Sequence, residues 1–159
     1  MKITLDLLKQ WDACEDALEW FAKDYPDGVD ATLPILCDKV IPKEHRFEYS
    51  TWLLHEVAAR EKGLEGDEAL EMLVERADDS RLARAVMRIT LRDTSKALAR
   101  LVKEGSPEHL VAVVERGAEK DAAQAAEALT AKAPAIAKFC ERTLQPERAA
   151  FITAARRAG

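Results

Sequence analysis

The pair His55-Glu56 begins the pattern H-E-x-x-H, in which two histidines one helical turn apart bind zinc. Ala59 stands where the pattern needs its second histidine, so the ligand set is incomplete. The other two histidines, His45 and His109, lack acidic or cysteine neighbours at the spacing of metal ligands. We therefore expect no metal site.

Motifs for nucleophilic catalysis and for cofactor binding are also missing. The sequence has four serines, none of them in G-x-S-x-G, and it contains no P-loop and no dinucleotide-binding fingerprint. Its three cysteines, Cys14, Cys37 and Cys140, have no C-x-x-C spacing, and we expect them to be buried on apolar helical stripes. We expect no catalytic residues, no cofactor and no enzymatic activity.

Basic residues form the first candidate for a binding surface. Four arginines, Arg81, Arg84, Arg88 and Arg92, recur at intervals of three or four residues. On a helix they fall between about 200° and 280° from Leu82, opposite the apolar stripe. The planar guanidinium binds carboxylates and phosphates bidentately, so this face is a candidate to bind a partner. The alternative is a solvated face that pairs with the acidic residues of the preceding helix.

Acidic residues on the first long helix form the second candidate. Glu15, Asp16 and Glu19 share one helical face, and such a face can mimic nucleic-acid phosphates and occupy a basic cleft. The alternative is a solvated face that the helix dipole stabilises. Trp20 lies off the apolar stripe of this helix, either as a core residue or as an exposed anchor for a partner. Of these two possibilities we expect packing in the core for Trp20, and we expect the same for Trp11.

Helices must position these residues, because almost every segment has helical periodicity and none alternates with a period of two. We expect at least eight helices and no sheet. Asp12 and Glu15 predict a capping box at the start of the first long helix. The Tyr-Pro-Asp-Gly sequence at 25–28 predicts a turn, and Asp-Thr-Ser at 93–95 predicts a break between two helices.

Similar fragments recur in the later part of the chain, at residues 73–77, 101–105 and 113–117. Their irregular spacing makes this a weak repeat. The sequence therefore predicts an all-α fold of short antiparallel helices, arranged either as HEAT-like stacked hairpins or as an irregular helical bundle.

Charge and aromatic residues divide the 159-residue chain into two parts. Residues 1–60 hold 12 acidic and 7 basic side chains, so the whole net charge of −5 lies there, together with seven of the nine aromatic residues. We expect an acidic, aromatic-rich helical module at 1–63 and an Ala/Leu/Arg-rich helical region at 64–159 packed on it. The joint is predicted at the two glycines of residues 63–66.

The sequence indicates a cytoplasmic protein that does not act at a membrane. It has no apolar run of 18 residues, and its start meets Asp6 before a signal-peptide core forms. Cysteines without a disulfide framework fit a reducing compartment.

Short fragments between residues 3 and 54 form a pattern: Ile3-Thr4, Leu7-Leu8, Ala13-Cys14, Trp20-Phe21, Tyr25-Pro26-Asp27-Gly28, Phe47-Glu48-Tyr49 and Trp52-Leu53-Leu54. Together they resemble a short helical module at the start of many small phage and prophage proteins. The resemblance implies a phage or mobile-element origin and a setting inside a bacterial host cell. It brings no activity and no catalytic residues.

These expectations combine into a hypothesis of function. We expect a non-enzymatic protein that binds a host protein or ribonucleoprotein complex and, in the sharper version, inhibits a host defence system as anti-CRISPR proteins do. The alternative is a nucleic-acid-associated helical module that uses the arginine face. An isoelectric point near 5.3 argues against a dedicated nucleic-acid binder, and we expect no nucleic-acid binding.

Overall fold

The computed structural model describes residues 1–158, and this part of the chain is all-α. It is 77% helical, with 11 α-helices and one two-stranded sheet, which confirms the predicted fold class. The expectation of no sheet is wrong at one place, where β1 (Lys2–Ile3) pairs antiparallel with β2 (Val29–Asp30). Each strand has only two residues, too few to show alternation in the sequence. None of the described helices is long and apolar enough to cross a membrane.

Two compact units divide the chain, the first at Met1–Met72 and the second from Leu73 onward. The first unit contains α1 (Leu5–Gln10), α2 (Glu15–Asp24), α3 (Leu33–Ile35), a π-helical turn (Leu36–Val40), a 3-10 turn (Lys43–His45), α4 (Arg46–Arg60) and most of α5 (Leu64–Arg76). Its core holds two of the large aromatic residues, Trp11 and Phe21, together with leucines of several elements. Trp11 is 4% exposed, which confirms the expectation that it packs in the core.

The predicted capping box at Asp12 is wrong, because Asp12 ends α1 instead of starting α2. Asp12 has a φ of 58°, and its N–H donates to the Lys9 carbonyl at 3.1 Å. The N–H of Ala13 donates to the Leu8 carbonyl at 3.0 Å, which completes a Schellman motif. Aspartate is one of the few L-residues that adopt this left-handed conformation without severe strain. Cys14 therefore takes the N-cap position of α2, where its side chain makes no capping hydrogen bond.

The predicted turn at 25–28 is confirmed and brings β2 back to β1. The N–H of Gly28 donates to the Tyr25 carbonyl at 2.9 Å, and Gly28 has a φ of 81°. A Cβ at Gly28 would lie 2.6 Å from the carbonyl oxygen of Ile3, which belongs to β1. Glycine is therefore required here both by the backbone angle and by the close approach of the strand.

The second unit contains the short helices α6 (Asp79–Arg88), α7 (Ser95–Glu104), α8 (Pro107–Arg116), α9 (Glu119–Lys132), α10 (Pro134–Thr143) and α11 (Pro146–Ala158). Successive helices pack together, and α6 also packs on α8, α7 on α9 and α9 on α11. The interior is built from leucine, valine and alanine, whose small side chains allow the helices to approach closely. The predicted break at 93–95 is confirmed, since α7 begins at Ser95.

The recurring fragments in this unit are the ends of helices. The N–H groups of Ala77, Gly105 and Gly117 each donate to the carbonyl four residues earlier, at 2.9, 2.8 and 2.7 Å. The interval of 12 residues between the last two fragments spans one helix, whereas the longer interval spans two helices and the segment between them. This explains why the spacing is irregular although the local structure is the same.

Basic side chains satisfy the carbonyl groups that these helix ends leave free. The Arg100 guanidinium donates to the Val74 carbonyl at the end of α5. Lys132 Nζ donates to the Lys103 carbonyl at 2.9 Å, and Arg148 Nη1 donates to the Gly117 carbonyl at 2.8 Å. Cations at helix C-termini also interact favourably with the helix dipole. Several cations of the second unit are thus part of its internal structure.

Candidate functional site

The arginine face lies on α6, where Asp78 fixes the start of the helix. Asp78 Oδ1 accepts a hydrogen bond from the Arg81 N–H at 2.9 Å, which is an N-cap contact. The apolar side of α6 is fully buried. Consequently Arg84 and Arg88 lie exposed on the opposite side, one helical turn apart.

The prediction that four arginines share this helical face is wrong for Arg92, because α6 ends at Arg88. Ile89 and Thr90 are β-branched and have low helix propensity, which favours an end at this point. Further along, Asp93 Oδ1 accepts a hydrogen bond from the Ser95 N–H at 3.0 Å, and such turns compete with the helix. Arg92 is half-buried in the segment between α6 and α7.

The arginines of α6 differ in their ion pairs. Arg81 Nη1 lies 2.7 Å from Asp78 Oδ2. Arg84 and Arg88, in contrast, form no ion pair with any residue in 1–158. We refer to these two side chains as the arginine pair. Like charges four residues apart on a helix repel by about 0.2–0.5 kcal/mol. The arginine pair therefore lowers the free energy of unfolding of the isolated protein.

Two basic residues of the next helix, α7, are engaged in contacts within the second unit. Arg100 is engaged with the Val74 carbonyl and lies 3.4 Å from Glu104, and Lys103 lies 3.6 Å from the same carboxylate. The arginine pair therefore remains the part of the predicted face that is available to a partner.

The acidic residues of the second candidate surface are exposed on α2. Glu15, Asp16 and Glu19 all point to solvent, and none of them forms an ion pair within the described chain. Trp20 is half-buried beside them. Its ring centroid lies 5.9 Å from that of Tyr25 and 6.3 Å from that of Tyr49. Trp20 thus packs on other aromatic rings while one part of it remains in contact with solvent.

An apolar cavity, which we call the aromatic cavity, opens beside Trp20 in the first unit. It contains about 430 Å³ of empty space when the part open to solvent is included, and the centre of a water molecule can occupy about 40 Å³ of it. Every lining residue is apolar or aromatic: Ile3, Leu8, Ala13, Ala17, Trp20, Phe21, Leu36, Val40, Ile41, Tyr49, Trp52 and Leu53. Five lining residues are half-buried, namely Ala13, Trp20, Val40, Tyr49 and Trp52, and the others are buried. We call the three half-buried aromatic residues, Trp20, Tyr49 and Trp52, the mouth of the cavity and the buried residues its floor.

Tyr49 at this mouth contacts Cys14 and His45. Burial raises the pKa of Tyr49, and so do the neighbouring Cys14 thiol and the carboxylates of Asp16 and Glu48. The His45 ring stacks on Tyr49 with a centroid distance of 4.8 Å. The expectation that all three cysteines are buried is wrong for Cys14, because the start of α2 at Glu15 places it at the exposed N-cap.

The aromatic cavity is not apparent from the sequence, because its wall combines residues of β1, α1, α2, the π-helical turn and α4. The concentration of seven aromatic residues in the first 60 positions is the one signal for it. Local periodicity assigns each of these residues to a helical face but does not tell which faces leave space between them.

His55 and Glu56 lie in a local polar network. His55 is 7% exposed, and its Nδ1 lies 3.2 Å from Glu56 Oε1. Glu56 in turn accepts a hydrogen bond from Arg60 Nε at 2.7 Å. Among residues 1–158, no three His, Cys, Asp or Glu side chains lie close enough together to hold a metal ion.

The family described as the YdhT N-terminal domain matches residues 1–60, which include every residue that lines the aromatic cavity. The match covers less than half of the chain, and it is consistent with the predicted N-terminal helical module. No curated protein matches the chain, and no solved structure matches it.

Proposed function

We propose that this protein acts by binding an acidic surface of another protein through the arginine pair, Arg84 and Arg88. The single observation that carries the proposal is that both guanidinium groups are exposed on one face of α6 and form no ion pair with residues 1–158. Several other cations of the same unit have carboxylate or carbonyl partners within it. A planar guanidinium binds a carboxylate with two parallel hydrogen bonds, which suits a partner rich in Asp and Glu.

The class of partner follows from the resemblance of residues 3–54 to phage modules. We propose a protein of phage or mobile-element origin that works without catalysis inside a bacterial cell. In the sharper version, the partner is a host protein or ribonucleoprotein complex of a defence system, and binding inhibits it in the manner of anti-CRISPR proteins. Only the resemblance supports this sharper version.

A nucleic-acid partner is the alternative, since guanidinium groups also bind phosphates. Two free arginines are a small electrostatic footprint compared with the basic stripe that nucleic-acid binders carry. The net charge of −5 further opposes approach to a polyanion.

The experiment is affinity capture from a bacterial lysate with quantitative mass spectrometry, using the wild type and the double variant Arg84→Glu/Arg88→Glu. The matched control is Lys138→Glu/Arg142→Glu, because these exposed cations have the same spacing and the same position near the end of a helix, α10. We expect a partner that is captured by the wild type and the control and lost with the Arg84→Glu/Arg88→Glu variant.

A parallel titration with duplex DNA and single-stranded RNA distinguishes the alternative, nucleic-acid binding, from protein binding. Binding at physiological salt with a steep loss at higher salt would favour the nucleic-acid function, because each neutralised phosphate releases counterions. Equal capture by all three proteins would show that the arginine pair does not bind the partner. Restored phage plating in a host with an active defence system is the test of the sharper version.

A further inference from the structure

The aromatic cavity combines an apolar interior with unpaired negative charge at its mouth. Two of the three mouth residues are tryptophans, Trp20 on α2 and Trp52 on α4. An exposed carboxylate stands one helical turn before each of them, Asp16 before Trp20 and Glu48 before Trp52. Residues one turn apart lie on the same side of a helix, so both carboxylates lie beside the mouth.

Neither of these carboxylates forms an ion pair with a residue of the described chain. Tyr49, the third mouth residue, is close enough to both for their charges to raise its pKa. The mouth therefore has a negative potential that no cation within residues 1–158 compensates by direct pairing. The faces of tryptophan and tyrosine rings also attract cations through their quadrupoles.

We propose that the aromatic cavity binds a small organic cation that has an apolar body. The apolar body lies in the cavity, and the cationic group lies at its mouth between Asp16 and Glu48. Ligand pockets in proteins combine such an apolar wall with a few polar groups that fix the orientation of the ligand. An apolar neutral molecule would leave the two carboxylates unpaired, and an anion would be repelled by them.

The size of the cavity limits the apolar body. Space for the centre of a water molecule amounts to about 40 Å³, which is room for a few small groups and not for an extended ligand. The enclosed space accepts a short branched alkyl chain or one edge of a phenyl ring, and the rest of such a ring lies in the open part of the cavity. The amine or quaternary ammonium group stays near solvent at the rim.

The test is an NMR titration of the full chain with three molecules that share a phenyl ring: phenethylamine, 2-phenylethanol and phenylacetate. At pH 7 they are cationic, neutral and anionic, respectively. We expect phenethylamine to shift the indole N–H signals of Trp20 and Trp52 saturably and to bind about three- to tenfold more tightly than 2-phenylethanol, as two partly screened charges allow. The indole of Trp11 does not line the cavity and is the internal reference.

Two variants locate the site. Asp16→Asn/Glu48→Gln should remove the preference for phenethylamine over 2-phenylethanol. Its matched control is Glu119→Gln/Glu147→Gln, which removes two acids from the first turns of helices in the other unit and should keep the preference. Ala17→Leu fills the cavity from its floor and should abolish binding, whereas Ala22→Leu on the same helix, which does not line the cavity, should not.

Three results would overturn the proposal. The first is binding of 2-phenylethanol or phenylacetate as tightly as phenethylamine, which would show that the carboxylates recognise no charge. The second is unchanged binding in a folded Ala17→Leu variant, which would place the site elsewhere. The third is the absence of any saturable shift with phenethylamine. Because the arginine pair lies in the other unit, each of these results leaves the proposed partner binding untouched.

Discussion

Two glycines with positive φ allow the steric demand of the turn at 25–28 to be measured separately from backbone strain. Gly28 has a φ of 81° and Gly63 a φ of 87°. A Cβ at Gly63 would meet nothing within 4 Å, whereas a Cβ at Gly28 would lie 2.6 Å from the carbonyl oxygen of Ile3. Substitution by alanine therefore adds similar strain at both positions and a backbone collision at only one.

The expected magnitudes follow from these two contributions. An L-residue in the left-handed region costs about 1–2 kcal/mol, and alanine recovers about 0.4–1 kcal/mol by restricting the unfolded chain. Gly63→Ala should thus lower the free energy of unfolding by about 1 kcal/mol. Gly28→Ala must also displace β1 from β2, and we expect a loss of about 2–4 kcal/mol, as for other backbone and packing disruptions.

The assay is urea unfolding followed by tryptophan fluorescence. All three tryptophans lie in the first unit, so the signal reports the unit that contains both glycines. The two variants are compared at equal m-values, because a change in midpoint alone then measures a change in stability. Equal losses for the two variants would refute the close approach of Gly28 to β1.

Three further predictions concern helix ends and the mouth of the aromatic cavity. Asp12→Gly should raise the free energy of unfolding by about 0.5–1 kcal/mol in the same urea assay, because glycine adopts a φ of 58° without strain. A loss of stability would contradict the Schellman motif. Arg148→Met should lower the free energy of unfolding by about 1 kcal/mol, because the Gly117 carbonyl loses its hydrogen-bond donor. Thermal unfolding followed by circular dichroism measures this loss, and an unchanged Tm would mean that the contact does not contribute to stability. The pKa of Tyr49 is raised, first by burial and then by Cys14. The contribution of Tyr49 to stability should therefore be complete below pH 10 and be lost as the pH rises through the pKa of the folded state. Tyr49→Phe should remove this alkaline dependence, and a wild type whose stability depends on alkaline pH in the same way as that of Tyr49→Phe would contradict it.

Most helices could be predicted from the sequence, because their signals are local. Ser106 stands at the N-cap position of α8 and Pro107 at its first helical position, and Asp-Thr-Ser at 93–95 marks the start of α7. Asp12 shows the limit of this approach, since aspartate is favourable both before a helix and after one. The hydrogen bonds of Ala13 and Asp12 to α1 decide between the two, and they depend on the backbone of the preceding helix.

The candidate sites were predictable only where one helix determines them. The exposure of Arg84 and Arg88 follows from the periodicity of α6, but the position of Arg92 depends on where that helix ends. The use of Arg100 as a cap for α5 depends on contact between helices distant in sequence. The aromatic cavity depends on five elements together, and no pattern within one of them indicates it.

The measurement that tests the central claim most directly is the dissociation constant of the captured partner for the wild type and for Arg84→Lys/Arg88→Lys. Lysine keeps the positive charge but lacks the planar fork that binds a carboxylate with two hydrogen bonds. The account predicts binding about tenfold weaker than that of the wild type, no detectable binding for Arg84→Glu/Arg88→Glu, and an unchanged constant for Lys138→Glu/Arg142→Glu. Equal constants for all four proteins would contradict the claim that the arginine pair recognises an acidic partner.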